Sequence, residues 1–300
     1  MKTYRIYQVD AFTGERFAGN PAGVVSNADG LTDAQMQALA RELNNSETAF
    51  VLSPDAADHD VRVRFFTPLT EVPSCGHATI AAHYVRALEQ RLSACTVMQK
   101  IGIGILPVEV QKQGDEYRIV MTQGAIEFSP PLPVEARNAL MAALGLPEAD
   151  VNPRCPVQIV STGHSKVLIG VNCQGTLDSL QPDLARLAEL SSILGCNGYF
   201  VFALGPAAEG IFAHGRMFAP AIGIPEDPVT GNANGPLGAY VVRHGLARTD
   251  QETLRFSAVQ GEAMGRPGTV DVEVAIAGGN PVRVKVGGRA TVVFQTGIRL

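Results

Sequence analysis

The chain has 300 residues, enough for two domains each with its own core. Its 46% hydrophobic and 18% charged content is that of an ordinary globular protein. A net charge of −5 argues against a nucleic-acid partner, which wants a basic face, and no apolar run approaches the length that crosses a bilayer.

In chain order, Met1-Lys2-Thr3-Tyr4-Arg5 runs straight into the alternation Arg5-Ile6-Tyr7-Gln8-Val9, a half-buried strand and not a secretion signal. The protein is therefore expected in the cytoplasm. Its five scattered cysteines (Cys75, Cys95, Cys155, Cys173, Cys196) are expected to be reduced there. With no C-x-x-C or H-x-x-x-H pair, no metal centre is expected. An amphipathic helix follows from Thr32 to Leu43, with Leu31, Met36, Leu39, Ala40 and Leu43 on one side. Arg62 to Phe65 is a second alternating strand. Ala78 to Leu88 is a helix of another kind, rich in small residues and apolar most of the way round. Tyr117 to Met121 alternates again, and the proline-rich Ser129 to Pro133 marks a domain boundary. The second half then offers an amphipathic helix from Asp183 to Leu194 and an apolar helix from Pro236 to Val242. Late hairpins around Val270 to Val274 are set off by Gly265-Arg266-Pro267-Gly268 and Gly278-Gly279-Asn280-Pro281, and the last strand is Ala290 to Phe294.

A helix apolar on most sides must be buried. In a strand-rich chain that implies a curved sheet wrapped around it. The expectation is an α+β fold of two pseudo-symmetric domains, each a curved, mostly antiparallel sheet around a central helix. An N-terminal barrel-like domain would span 1–125, with 290–300 a candidate to complete it. A C-terminal barrel-like domain would span 126–289, with the active site in the cleft between the two.

The pseudo-symmetry is written in repeated motifs. Gly19-Asn20-Pro21-Ala22-Gly23-Val24-Val25 is echoed by Gly163-His164-Ser165-Lys166-Val167-Leu168-Ile169, and Asn45-Ser46-Glu47-Thr48-Ala49-Phe50-Val51 by Cys196-Asn197-Gly198-Tyr199-Phe200-Val201. Phe66-Thr67-Pro68 is echoed by Phe218-Ala219-Pro220, and Cys75-Gly76-His77-Ala78 by Thr230-Gly231-Asn232-Ala233. Both apolar helices thus start at a glycine turn. Their N-termini carry unpaired N–H groups and partial positive charge, which attract carboxylates. Two such corners lining one cleft would bind a small carboxylic acid. Asn20 and His164, at matching turns, would line it too.

Glu47 lies between a helix and an apolar strand, where desolvation suits a carboxylate to general acid/base work. Its counterpart is Gly198, so one copy alone carries the acid. Asp227, in Pro225-Glu226-Asp227-Pro228, is held extended by the proline and can cap the turn or serve the cleft. His77 can donate a proton or be a satisfied histidine at a helix start. Cys75 can be a thiolate favoured by the helix N-terminus or a small buried residue. Glu47 itself can be a solvated residue at a helix end, and the glycines can merely permit tight turns.

The set Asp10-Ala11-Phe12, Gly19-Asn20-Pro21-Ala22-Gly23-Val24, Asn45-Ser46-Glu47-Thr48-Ala49-Phe50, Phe66-Thr67-Pro68, Cys75-Gly76-His77-Ala78-Thr79 and Glu226-Asp227-Pro228-Val229-Thr230-Gly231 resembles the PhzF family of phenazine-biosynthesis-like isomerases from first strand to last. Within it the chain is most similar to the uncharacterised YddE-type bacterial branch. The resemblance implies a diaminopimelate-epimerase-like fold, a homodimer, and cofactor-independent proton transfer on a small carboxylic acid. It puts the catalytic glutamate on Glu47, the helix-start histidine on His77 and the aspartate before proline on Asp227. Substrate contacts are expected from Asn20, Cys75, Gly76, His164, Thr230, Gly231 and Asn232. The phenazine-pathway pattern has serine where this chain has Asn232, which leaves the substrate open. Cys75-Gly76-His77 also resembles the helix start of proline racemases and hydroxyproline epimerases, which use two facing thiols. The matching residue here is Thr230, so two-thiol racemisation does not follow, while an epimerase or dehydratase run by Cys75 alone stays open. So does a small-acid binding protein without turnover.

Overall fold

The computed structural model describes residues 1–205, 211–248 and 252–300. The chain divides into two compact units, Met1–Thr122 with Gly287–Leu300, and Gln123–Val286. The sheet structure is mixed, and six α-helices lie among the described residues.

In the first unit β1 (Thr3–Ala11) pairs antiparallel with β2 (Asn20–Val25). After α1 (Asp33–Leu43), β3 (Thr48–Leu52) joins β2 in parallel and β4 (Val61–Phe66) returns antiparallel to β3. The short β5 (Glu71–Val72) folds back on β4 and leads into α2 (Gly76–Gln90). Beyond it β6 (Cys95–Ile101) pairs in parallel with β4, and β7 (Gly104–Gln113) and β8 (Glu116–Thr122) continue as a meander.

The second unit opens with β9 (Glu127–Pro131), α3 (Val134–Leu144) and β10 (Gln158–Ser161), which pairs antiparallel with β9. Thereafter the order of the first unit returns. Strand β11 (Ser165–Val171) is antiparallel to β10. After α4 (Gln174–Asp178) and α5 (Leu184–Leu194), β12 (Tyr199–Leu204) is parallel to β11 and β13 (Ile211–Ala219) antiparallel to β12. The short β14 (Ile224–Asp227) folds back on β13 and leads into α6 (Gly231–Arg243). Beyond it β15 (Thr253–Gln260) is parallel to β13 and β16 (Gly268–Ala277) antiparallel to β15. The long β17 (Asn280–Arg299) ends the chain, and its residues Ala290–Arg299 pair antiparallel with β1.

Two kinds of helix are distinguished by burial and by their ends. α1 and α5 are amphipathic, and each is capped: Thr32 and Gln35 form a reciprocal capping box, and the Asp183 carboxylate accepts from the Arg186 N–H. α2 and α6 are buried along most of their length. α2 packs against β1, β2, β3, β4, β7 and β8 of its own unit, and α6 against β10, β11, β15 and β16 of its own. Neither has a side-chain cap or an acidic residue in its first turn.

Two readings are refined. The proline-rich Ser129–Pro133 is not a free linker: most of it is β9, tied to β10 by the Ile159 N–H donating to Ser129 Oγ at 3.0 Å. Pro133 then stands at the N-cap of α3, whose buried Leu140, Met141 and Leu144 pack with α5 residues such as Leu187 and Leu190. Proline is tolerated there because no N–H is needed before the first helical turn closes. α6 begins five residues before Pro236 and runs through it. The ring removes the donor that the Asn232 carbonyl would take in a regular helix.

Candidate active site

The first unit brings Glu47, His77, Cys75 and Ser46 together. Glu47 follows the left-handed C-cap Asn44 of α1 and immediately precedes β3. Its carbonyl accepts from the Gly23 N–H at 3.2 Å, pinning the loop to β2. Gly23 is needed for that approach, because a Cβ there would meet Thr48 Oγ1 at 2.7 Å and Leu43 Cδ1 at 2.8 Å. Cys75 is the extended residue before α2, and His77 is buried in the first turn.

His77 joins the other side chains. Its Nε2 lies 3.3 Å from Ser46 Oγ and 3.5 Å from Glu47 Oε2, and its Nδ1 lies 3.5 Å from Cys75 Sγ. The Glu47 contact is an ion-pair distance without hydrogen-bond geometry. Oε2 is buried with no hydrogen-bond partner. A buried carboxylate oxygen left in that state is costly, and native folds keep few such atoms. One donor atom each from Glu47, Cys75 and His77 lies within 4.8 Å of the others, so the same three could also hold a cation. Asn20, the first residue of β2, is buried in the same unit.

The second unit assembles a different corner. Asp227 ends β14, and its carboxylate accepts a hydrogen bond from the Thr230 hydroxyl. The Asp227 carbonyl accepts from Gln260 Nε2 at 2.7 Å, and Gln260 Oε1 accepts from the Thr230 N–H at 3.1 Å and from Asn234 Nδ2 at 3.1 Å. Asp227 therefore ties down the turn before α6. Thr230 spends its hydroxyl on Asp227 and does not cap the helix. Gly231 and Asn232 open α6, with Asn232 Oδ1 accepting from Gln123 Nε2 at 3.0 Å. His164 precedes β11, and burial, then the nearby Lys166 charge, push its pKa down.

Sequence reasoning missed Ser46, Gln123, Gln260 and Lys166. Ser46 stood beside Glu47 in a quoted motif, and Lys166 lay in the echo of the Asn20 turn. Gln123 and Gln260 carry no local signal, since their partners are far along the chain.

Residues 9–296 match the family model for phenazine biosynthesis-like proteins. The chain is 56% identical to an uncharacterized isomerase of Clostridium acetobutylicum, over 99% of this chain and 98% of that one. It is 50% identical to the uncharacterized isomerase YddE of Escherichia coli strain K12, over 97% of each. It is 31% identical to the trans-2,3-dihydro-3-hydroxyanthranilate isomerase of Pseudomonas aeruginosa, over 95% of each. The structure matches that of a PhzF-family protein of Bacillus anthracis with a TM-score of 0.88 at 30% identity, over all of both chains. A hydroxyproline epimerase of Agrobacterium vitis shares the fold at a TM-score of 0.66 and 12% identity, over 99% of this chain and 93% of that one. The chain thus belongs to the PhzF family of phenazine biosynthesis-like proteins, and it is an isomerase.

Proposed function

We propose that the protein is a cofactor-independent isomerase that moves a proton on a small carboxylic acid, with Glu47 as general acid/base. The observation that carries this reading is the buried Glu47 Oε2, which lacks a hydrogen-bond partner and stands beside His77. A buried acceptor that the protein's own donors leave unfilled is poised to take a proton from something that enters.

In this reading the Glu47 carboxylate removes a proton from a carbon adjacent to a double bond or carboxylate. The C–H electron pair moves into the conjugated system. The proton is then returned from Glu47 to a different carbon, and the double bond shifts. One proton leaves to Glu47 and one returns from it, exchanging with solvent while it is carried there, so the cycle balances without a redox partner. His77 steadies the carboxyl in both states, and Asp227 holds the turn that presents the α6 N-terminus. In each unit taken by itself the helix start is uncapped, at Gly76 in the first and at Gly231 and Asn232 in the second, and such N–H groups suit a carboxylate, as helix N-termini do. Asn20 and Cys75 in the first unit, and His164 and Thr230 in the second, are the further contact residues of this reading. A well-placed general base contributes about 10²–10⁴-fold.

The test is solvent-deuterium incorporation into a screen of small unsaturated and amino carboxylic acids, read by mass spectrometry. Exchange is expected with the native protein and is expected to vanish in Glu47→Gln. Undiminished exchange in that variant would overturn the assignment.

A second reading has its own observation. Cys75 Sγ lies 3.5 Å from His77 Nδ1, a thiol–imidazole pair that would serve a one-thiol epimerase or dehydratase.

A further inference from the structure

The two units use the same backbone frame and fill it with different chemistry. In the first, the Gly23 N–H donates to the Glu47 carbonyl and the parallel pairing begins at Gly23 and Thr48. In the second, the Val167 N–H donates to the Gly198 carbonyl and the parallel pairing begins at Val167 and Tyr199. The matched register sets Gly198 against Glu47, His164 against Asn20 and Lys166 against Ala22. One copy places an acid beside an alanine, and the other places a glycine beside a lysine.

Lys166 is a conspicuous residue to bury. It is 4% exposed, on β11 opposite Val160 of β10. Alternation along the strand puts it on the face of Leu168, which packs with Ala233 and Leu237 of α6. Among the described residues its ammonium has one hydrogen-bond acceptor, the carbonyl of its own neighbour Ser165, at 3.3 Å. It makes no ion pair among them. The groups that act on its charge are Asp227 and Cys196, which favour it, and His164, on which it acts in turn. Burial outweighs the favourable pair and pulls the Lys166 pKa down to about 8. An ammonium carries three donors. A buried lysine with most of them unspent is costly unless an anion completes it.

We infer that Lys166 is a substrate-binding cation of the second unit, which takes a carboxylate group of the ligand in the position that the catalytic acid holds in the first. The inference rests on the small-acid reading for the identity of the anion and not on the role of Glu47. It gives the ligand a carboxylate beyond the one suited to the α6 N-terminus of the same unit, so a dicarboxylate is the preferred class.

The probe is malonate. Trace acetylation with acetic anhydride at pH 8, followed by peptide mass mapping, reads the reactivity of Lys166 against Lys2, Lys100, Lys112 and Lys285 in the same molecule. Lys166 is expected to be labelled in the free protein, and its labelling is expected to fall about tenfold at saturating malonate, the loss an ionic hydrogen bond would produce. The other four should not change. Malonate should raise the melting temperature of the native protein and of Lys166→Arg but not of Lys166→Met. The methionine variant removes a buried charge and should fold at least as stably. Lys166 unlabelled in the free protein, or labelled equally with and without malonate, would overturn the inference. In Glu47→Gln the malonate protection should persist, so a failure of the acid/base assignment and a failure of this one give different results.

Discussion

Glu47 Oε2 and His77 Nε2 stand 3.5 Å apart without a hydrogen bond between them. The two are close enough to share charge and too poorly aligned to quench each other. The carboxylate keeps its acceptor for a proton arriving from elsewhere, while the imidazole sits against Ser46 on one nitrogen and Cys75 on the other.

This placement separates the two chemical readings. If Glu47 is the base, His77 is its support: His77→Ala is expected to lower deuterium exchange about 10²–10⁴-fold. Cys75→Ser should then leave exchange within about tenfold of native, and a thiol alkylator should not abolish it in that variant. If Cys75 is the base, Cys75→Ser abolishes exchange because a serine hydroxyl is not ionised near neutral pH. Single-turnover exchange rates for the two variants, measured on one substrate, decide between them.

A second histidine on α2 governs stability, not chemistry. His83 is buried, with its Nε2 2.8 Å from Gln99 Oε1 and its Nδ1 without a partner. Desolvation, helped by the Arg86 charge and opposed by Gln99, pulls its pKa down from 6.5 to about 4. The folded state therefore holds His83 neutral where the unfolded chain would protonate it. Between about pH 6.5 and pH 4 the unfolded state binds more protons, so stability falls as pH falls through that window. The slope from this group is at most about 1.4 kcal/mol per pH unit, or about 3 kcal/mol across the window. His83→Gln keeps an amide that can reach Gln99 and does not titrate. Urea denaturation at pH 4, 5, 6 and 7 is expected to show a shallower pH slope for the variant than for the native protein. Identical slopes would refute the assignment.

Much of this was legible in the sequence wherever a local signal carried it. Thr32 and Asp183, both good capping residues, mark α1 and α5 to within a residue, and the alternation of Arg5 to Val9 and Val270 to Val274 lies inside β1 and β16. The starts of α2 and α6 were harder, because an uncapped helix announces itself by nothing but a glycine. α3 was hidden behind the prolines that precede it, which read as a boundary and in fact pre-set its first turn. The Glu47–His77–Cys75 cluster joins residues up to thirty apart, and the repeated motifs and the family resemblance were the hints that they act together. Gln123 and Gln260 were silent. Gln260 anchors a turn, and Lys166 is buried, through tertiary packing that no local pattern announces.

The absence of an acid in the second copy is fixed by the backbone. Gly198 has φ +145, a conformation that side-chain-bearing residues rarely adopt, and a Cβ there would meet the Phe218 carbonyl oxygen at 2.7 Å and Ala219 Cβ at 3.2 Å. Glu47, at the matching place, is not among the positive-φ residues. The backbone at residue 198 therefore does not accept a side chain that could carry a carboxylate of its own. Gly198→Ala is expected to destabilise the protein by about 1–3 kcal/mol, from backbone strain and the clash with Phe218. The loss should appear as a lower urea midpoint with an unchanged slope. Glu47→Gly combined with Gly198→Glu should not restore exchange, since strain at residue 198 and the Lys166 charge beside it prevent a faithful copy of the first corner. Recovery of exchange in that double variant would show the two corners to be interchangeable, against the conformation of Gly198.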